Sequence, residues 1–206
     1  MTSTSRPHDL IWLTTRHALE GITESWVDDV WHTGLPVVVR RDVDVQGRIP
    51  AGVRGMRRDQ RAAGWVNPGD VVRSVAPEDL VSPQILLRSP FISQPPVQVA
   101  LQLAQQAWPW QWGITGSVAY ALATGIPVIH AQSDLDLLIR APQPLPRQQL
   151  ERWQQQLTTV LCRADTQVET PNGGFALAEW LRDGKVLLKT SRGPLLVRDP
   201  WHREGS

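Results

Sequence analysis

The chain has 206 residues, of which 41% are hydrophobic and 20% charged, so it can build a packed core and does not have the composition of a disordered chain. Its formal net charge is +1, which excludes a global attraction to nucleic acid or to anionic lipid. The single cysteine, Cys162, excludes an internal disulfide and metal sites built on cysteine pairs. Because no segment approaches the roughly 20 apolar residues of a membrane span and the N-terminus lacks a signal-peptide core, we expect a cytoplasmic protein.

The first half of the chain, residues 1–85, is predicted to form a small, mostly-β domain. Its clearest element is the β-branched run LPVVVRR at residues 35–41, which is typical of a buried strand. Residues 42–55 indicate a turn around Gly47 and a second strand. Residues 65–80 contain a Pro-Gly turn and then the start of a helix.

A Pro-rich stretch at residues 82–96 is interpreted as a linker to a second domain at residues 93–206. Proline fixes its own backbone and disfavours helix at the preceding residue. In the second domain the predicted elements are a helix at 98–110, a glycine turn and short helix at 113–125, a strand at 133–140, a helix at 147–161, a strand at 164–170, a turn at 171–174, a helix or irregular strand at 175–183, and strands at 185–191 and 194–199. This alternation predicts a mixed-sheet α/β domain and, with the first domain, an α+β fold.

Two aspartates, Asp134 and Asp136, flank Leu135 in the strand predicted at 133–140. Alternate side chains of a strand share a face, so both carboxylates point one way while Leu135 and Leu137 point to the core. Aspartate is disfavoured in strands, and two like charges repel each other. A Mg²⁺ ion reverses that penalty, since it is usually held by one or two carboxylates and substrate phosphates. The alternative is a solvent-facing edge strand that carries two aspartates.

A glycine-serine pair, Gly116-Ser117, precedes this strand. Gly116 permits a tight turn, and Ser117 lies where a helix begins, so backbone N–H groups and the hydroxyl are placed to hold a phosphate. A plain helix N-cap is the alternative for Ser117. Such a turn, followed by an Asp-hydrophobic-Asp strand and a third carboxylate on a later strand, resembles the nucleotidyltransferase superfold, which includes polymerase beta. The spacer from Ser117 to Asp134 is longer than in most members.

The later strand at 164–170 offers two candidates for the third carboxylate. Asp165 is the predicted one, and Glu169, on the same face, is its rival. A solvated strand face is the alternative for both residues.

Six segments together carry a more specific resemblance: RPHDLIWL (6–13), LPVVVRR (35–41), GVRGMRRDQRAAGWV (52–66), WGITGSVAYALATGIPV (112–128), SDLDLLIRAP (133–142) and QVETPNGGFALAEW (167–180). From about residue 6 to about residue 201, the chain is similar to the malonate decarboxylase holo-acyl-carrier-protein synthase family, also called phosphoribosyl-dephospho-CoA transferase. The resemblance implies an enzyme that takes 2′-(5″-triphosphoribosyl)-3′-dephospho-CoA, joins its phosphoribosyl-dephospho-CoA moiety to a serine of the apo acyl carrier protein, and releases pyrophosphate.

The resemblance also implies roles for the residues singled out above. Asp134 and Asp136 would hold Mg²⁺, and Asp165 or Glu169 would complete a second metal site or help to deprotonate the incoming serine. The Gly116 turn and Ser117 would grip the terminal phosphates.

Basic residues supply further candidates. Residues 40–61 carry seven Arg against three Asp, a local net charge of +4, and Lys189 lies on a late strand. Four of these arginines fall within eight residues: Arg54, Arg57, Arg58 and Arg61. They would bind the CoA diphosphate, the triphosphate or an acidic carrier protein, and Lys189 a phosphate. The alternatives are a solvated basic loop and an ordinary sheet-edge lysine.

Two other functions stay open at this point. One is the same chemistry on another acceptor, such as the citrate lyase carrier protein, another protein or a small molecule. The other is a non-catalytic binding module with this fold, against which the intact Gly116-Ser117 and Asp134/Asp136 set argues. The near-zero net charge and the lack of a long basic stripe disfavour a nucleic-acid partner.

Overall fold

The computed structural model describes residues 4–57, 59–158 and 161–202. The chain divides into two compact units, Met1–Ala76 and Pro77–Ser206. None of the described helices is long and apolar enough to cross a membrane.

The first unit is built on one antiparallel sheet. Its elements are β1 (Leu10–Leu13), β2 (Leu19–Glu20), α1 (Val27–Val30), β3 (Val37–Val39), β4 (Ile49–Arg54), β5 (Arg61–Val66) and β6 (Val71–Val75). The sheet has six strands in the order β2-β5-β4-β3-β1-β6, and Ile11, Val37 and Val66 are fully buried in its core. The mostly-β character predicted for this part of the chain is confirmed.

The second unit combines six strands with helices. Its elements are a 3-10 helix (Pro77–Leu80), α2 (Pro83–Arg88), α3 (Pro95–Ala104), β7 (Gln111–Thr115), α4 (Gly116–Thr124), β8 (Leu135–Arg140), α5 (Arg147–Thr158), β9 (Ala164–Thr170), β10 (Gly173–Ala176), α6 (Leu177–Asp183), β11 (Val186–Thr190) and β12 (Gly193–Val197). The sheet order is β12-β11-β10-β9-β8-β7. Strands β8 and β9 are parallel and the other neighbours antiparallel, which confirms the mixed sheet and the α+β class.

The linker predicted at residues 82–96 is wrong, because that stretch contains α2 and the start of α3. Both helices have proline in their first turn, where the backbone N–H that proline lacks has no partner in the helix. The Ser82 side chain caps α2 by accepting a hydrogen bond of 3.2 Å from the backbone N–H of Ile85. The prolines therefore begin helices here and do not break them.

The strand β7 was not predicted from the sequence, which indicated only the end of a helix and a glycine turn. The helix α3 ends at Ala104, and three alternating tryptophans follow it. Trp108, Trp110 and Trp112 surround Trp153 of α5 with ring centroids 4.9, 6.0 and 5.4 Å from its own. These ring contacts pack the start of β7 against α5, and β7 pairs with β8 at the edge of the sheet.

The two faces of the second sheet are covered differently. On one face, Trp153 of α5 donates a buried hydrogen bond of 2.9 Å to the Thr166 hydroxyl. On the opposite face, the 3-10 helix Pro77–Leu80 lies so close to Gly113 that a Cβ there would overlap its backbone. The Arg140 guanidinium pairs with Glu78 of this helix at 2.6 Å. The second face is thus covered at Gly113, whose partner on β8 is Leu138, and Asp136 lies on the same face two residues before Leu138.

Candidate active site

On the face of the second sheet that carries Gly113, one row of residues crosses three neighbouring strands. Thr115 of β7 lies directly opposite Asp136 of β8, and Asp136 is the register partner of Asp165 on β9. Residues paired in this way project to the same face of a sheet, with strands about 4.8 Å apart. Asp136 is half-buried and Asp165 is exposed. The structure therefore brings Asp165 next to Asp136.

Asp134 lies one residue before β8 and is exposed. Its neighbourhood includes Cys162, which precedes β9. Burial, and then the negative charge of Asp134, raise the pKa of the Cys162 thiol above its ordinary value. A thiol with a raised pKa stays protonated at neutral pH, so Cys162 is a poor nucleophile here.

The turn before α4 is fixed by Gly116. Its φ is +68°, a left-handed conformation that glycine adopts without strain. A Cβ at this position would overlap the Asp136 carboxylate. The turn and the carboxylate are therefore in direct contact, and the first backbone N–H groups of α4 begin beside them.

The N-cap of α4 is Thr115, and Ser117 lies inside the first turn of the helix. The plain N-cap alternative for Ser117 is therefore wrong. The Thr115 side chain makes no capping hydrogen bond to the helix. Its hydroxyl is left on the face that carries Asp136.

Glu169 occupies a different place from Asp165. It is the register partner of Arg140, four residues along β9 from Asp165, or about 13 Å. Its side chain is buried, with 9% of its surface exposed, and accepts a hydrogen bond of 2.8 Å from Gln167. Asp165 instead forms an exposed ion pair with Arg163 at 3.1 Å, of a kind that is weak and easily exchanged.

The predicted basic residues lie in two places. In the first unit, Arg54 and Arg61 are directly opposite each other at the ends of β4 and β5, and Arg57 in the connecting loop pairs with Asp59 at 2.8 Å. Arg58 lies outside the described residues. In the second unit, Lys189 is exposed on β11, opposite Gly174.

The donor set at the Asp136 end suits Mg²⁺. Within residues 4–57, 59–158 and 161–202, no group of three or more His, Cys, Asp or Glu side chains forms a ready-made metal cage. Mg²⁺, however, prefers oxygen ligands and commonly takes one or two carboxylates together with substrate phosphates. Asp134 and Asp136 supply such oxygens, and glycine at position 116 lets the turn before α4 approach the Asp136 carboxylate. The residues present therefore fit a magnesium ion that binds with a phosphate substrate.

Thr115 is the site residue that sequence reasoning missed. Its only sequence signal is its position directly before Gly116-Ser117. Its proximity to Asp136 depends on the register of β7 against β8, which the sequence pattern does not contain.

Two family models match the chain. Residues 86–200 match the phosphoribosyl-dephospho-CoA transferase MdcG C-terminal domain, and residues 6–77 match the N-terminal domain of the same protein. The chain belongs to the phosphoribosyl-dephospho-CoA transferase family. The family inferred from the six sequence segments is confirmed, and membership supports a transferase enzyme.

Relatives named phosphoribosyl-dephospho-CoA transferase match over nearly their whole length. A Klebsiella pneumoniae relative is 65% identical over 204 residues, which cover 99% of this chain and 100% of the relative. One from Pseudomonas putida strain W619 is 42% identical, with 97% of each chain covered. One from Azotobacter vinelandii is 39% identical, with 95% of this chain and 94% of the relative covered. No solved structure matches the chain.

Proposed function

We propose that this protein transfers the phosphoribosyl-dephospho-CoA group from 2′-(5″-triphosphoribosyl)-3′-dephospho-CoA to a serine of the apo acyl carrier protein of malonate decarboxylase, and releases pyrophosphate. The observation that supports this most directly is the contact of the Gly116 turn with Asp136, which is itself the neighbour of Asp165, in a chain of the transferase family. A phosphate-holding turn against paired carboxylates suits attack on a triphosphate.

The reaction exchanges one bond to phosphorus for another. The serine oxygen bonds to the phosphorus nearest the ribose, and the bond from that phosphorus to the bridging oxygen breaks. The electron pair of the broken bond leaves with pyrophosphate, and the serine proton passes to a carboxylate or to solvent. Negative charge grows on the departing oxygens, so groups that stabilise it determine the rate.

Asp134 and Asp136 are the proposed ligands of Mg²⁺, which supplies positive charge that offsets the charge of the phosphates when it is bound. Asp165 is the carboxylate placed to accept the serine proton or to complete a second metal site. Ser117 and the N–H groups of the first turn of α4 would hold the terminal phosphates. The Thr115 hydroxyl, on the same face as Asp136, is a further donor toward them.

Mass spectrometry of the carrier tests the proposal. Apo carrier protein is incubated with this protein, Mg²⁺ and the triphosphoribosyl precursor, and pyrophosphate is measured in parallel. The expected result is one phosphoribosyl-dephospho-CoA group on one serine and an equal amount of pyrophosphate. Transfer only to the citrate lyase carrier or to another acceptor would change the substrate assignment, and no reaction with any acceptor would favour a binding module.

Asp165→Ala is expected to slow transfer by about 100-fold or more, because it removes a proton acceptor or metal ligand beside Asp136. Glu169→Ala is expected to cost less activity and more stability. It removes a buried carboxylate about 13 Å away and leaves Gln167 without its acceptor. Single-turnover rates and melting temperatures of both variants decide this, and the reverse order of rates would transfer the role to Glu169.

Arg54→Gln and Arg61→Gln are expected to raise KM several-fold while kcat stays near the parent value. Binding that the ground and transition states share affects KM alone. KM is measured separately for the precursor and for the carrier, so the substrate that the loop binds is the one whose KM rises. Arg88→Gln, an exposed arginine on α2, is the control. If KM is unchanged for both substrates, the arginines between residues 54 and 61 bind neither of them and belong to a solvated loop.

A further inference from the structure

An exposed apolar patch lies on the hairpin formed by β11 and β12. Leu187 and Leu196 are directly opposite each other and are 44% and 60% exposed. On the opposite face Leu188 and Val197 are buried, at 3% and 9%, while Leu195 is 45% exposed. Ala176 of β10, on the same face as the two leucines, is also exposed. We call Leu187, Leu196 and Ala176 the hairpin patch.

The patch does not follow the usual pattern of an antiparallel edge. Strands with one solvated face alternate apolar residues inward with polar residues outward. A single exposed leucine is ordinary, but two in direct cross-strand contact, extended by Ala176, form a continuous apolar surface. Such a surface, rimmed by polar residues, is typical of a protein interface.

Positive charges surround the hairpin patch. Lys189 stands two residues after Leu187 on β11 and shares its face, while Lys185 directly precedes β11 and Arg198 directly follows β12, each two residues from a leucine of the patch. Among the residues that the structure describes, Lys189 and Arg198 make no ion pair. Asp183 is paired with Arg182, which lowers the pKa of Asp183, and Lys185 interacts with Asp183 only through its charge, which helps to lower that pKa. By contrast, four of the seven other described arginines in this unit are paired with a carboxylate. An apolar centre with a cationic rim is complementary to an acidic protein surface that presents an apolar side chain.

The patch lies on the same face of the sheet as Asp136. Register partners connect the two places strand by strand: Arg140 of β8, Glu169 of β9, Gly174 of β10 and Lys189 of β11. Asp136 stands four residues before Arg140 on β8, so it projects to the same face as Lys189. Three strand spacings separate β8 from β11, which is about 14 Å. A standard protein interface covers roughly 800 Å² per partner, or about 30 Å across. A protein seated on the hairpin patch can therefore extend to Asp136.

We infer that the hairpin patch, with Lys185, Lys189 and Arg198 at its rim, is the docking surface for the acceptor protein. The inference rests on the proposed function, because it identifies the acidic partner with the carrier protein that receives the group. The described residues of this face on β10, β11 and β12 include no aromatic side chain. Because nucleotide bases bind preferentially to aromatic platforms, the patch suits a protein better than the adenine of the precursor.

Binding of the intact protein to immobilised apo carrier tests the inference. Leu187→Ser and Leu196→Ser are expected to raise the Kd for the carrier about tenfold, as truncation at the centre of an interface does. Lys185→Glu is expected to raise it several-fold and to weaken its dependence on salt. The matched control is Leu195→Ser, since Leu195 is 45% exposed on the same strand but projects to the other face. The charge control is Arg88→Glu.

The outcomes separate this inference from the proposed function. If the parent modifies the carrier while Leu187→Ser and Leu196→Ser bind it as the parent does, the docking surface is wrong and the function stands. If Leu195→Ser weakens binding equally, or if the Leu196 variant loses affinity for the precursor, the docking surface is also wrong. If the parent neither binds nor modifies the carrier, both fail. Raised KM for the carrier, with kcat and precursor affinity unchanged, supports the docking surface.

Discussion

Replacing Asp134 or Asp136 with Asn is expected to slow transfer by about 1000-fold, the scale on which loss of one charge-stabilising group acts in such sites. Asn keeps the shape of the side chain and removes its charge, so the loss is electrostatic. Asp136 contacts the Gly116 turn and is the register partner of Asp165, while Asp134 is exposed one residue before β8. Single-turnover transfer to the carrier measures the effect.

A second readout that does not depend on turnover tests the metal assignment. Mn²⁺, used as a paramagnetic probe in place of Mg²⁺, is expected to bind the parent in the presence of precursor and to bind either variant at least tenfold more weakly. The matched control is Asp183→Asn, which removes an exposed carboxylate paired with Arg182 at 2.9 Å. Near-normal transfer and Mn²⁺ binding by Asp134→Asn or Asp136→Asn would exclude that residue as a metal ligand.

Local patterns predicted the strands that carry the aspartates. The alternation in SDLDLLIR requires Leu135 and Leu137 to face the core, and both are buried. That requirement fixes the side of β8 on which Asp136 lies, whatever its neighbours are. The same alternation placed Asp165 and Glu169 on one face of β9. Period-two patterns are therefore sufficient to assign carboxylates to a face of the sheet.

Choosing between Asp165 and Glu169 required the register of β9 against β8. Residues four apart on a strand project to the same face, so the alternation of side chains does not distinguish Asp165 from Glu169. Only the parallel pairing of β9 with β8 places Asp165 beside Asp136 and Glu169 beside Arg140. That pairing forms between strands separated by α5, so no local signal specifies it. Thr115 was missed for the same reason, because its neighbour Asp136 lies 21 residues away on another strand.

The errors at residues 82–96 and at β7 have a different cause. Proline interrupts a helix from within but is favourable in its first turn, so Pro83 and Pro95 are compatible with either a linker or a helix start. The strand β7 is short, and Gly113 lies in its centre because the 3-10 helix Pro77–Leu80 leaves no room for a Cβ. From the sequence alone, a glycine at that position indicates a turn. In the structure the glycine is required by tertiary packing against the 3-10 helix.

Gly116→Ala is expected to reduce transfer by about 100-fold or more while the protein stays folded. The added Cβ would overlap the Asp136 carboxylate, so that either the carboxylate or the turn must move. Displacement of a reacting group by about 1 Å is enough for a loss of this size. The positive φ of +68° adds a strain of about 1–2 kcal/mol, which lowers the melting temperature by several degrees.

Gly125→Ala separates the overlap from the backbone strain. Gly125 ends the same helix α4 with a φ of +75°, but no atom lies within 4 Å of the position that its Cβ would take. Both variants should therefore melt several degrees below the parent, and only Gly116→Ala should lose transfer and the binding of Mn²⁺ with precursor. Equal activity losses in the two variants would mean that α4 acts through its stability alone. Full activity of Gly116→Ala would show that close contact between the turn and Asp136 is not required, and the phosphate site would have to lie elsewhere on this face.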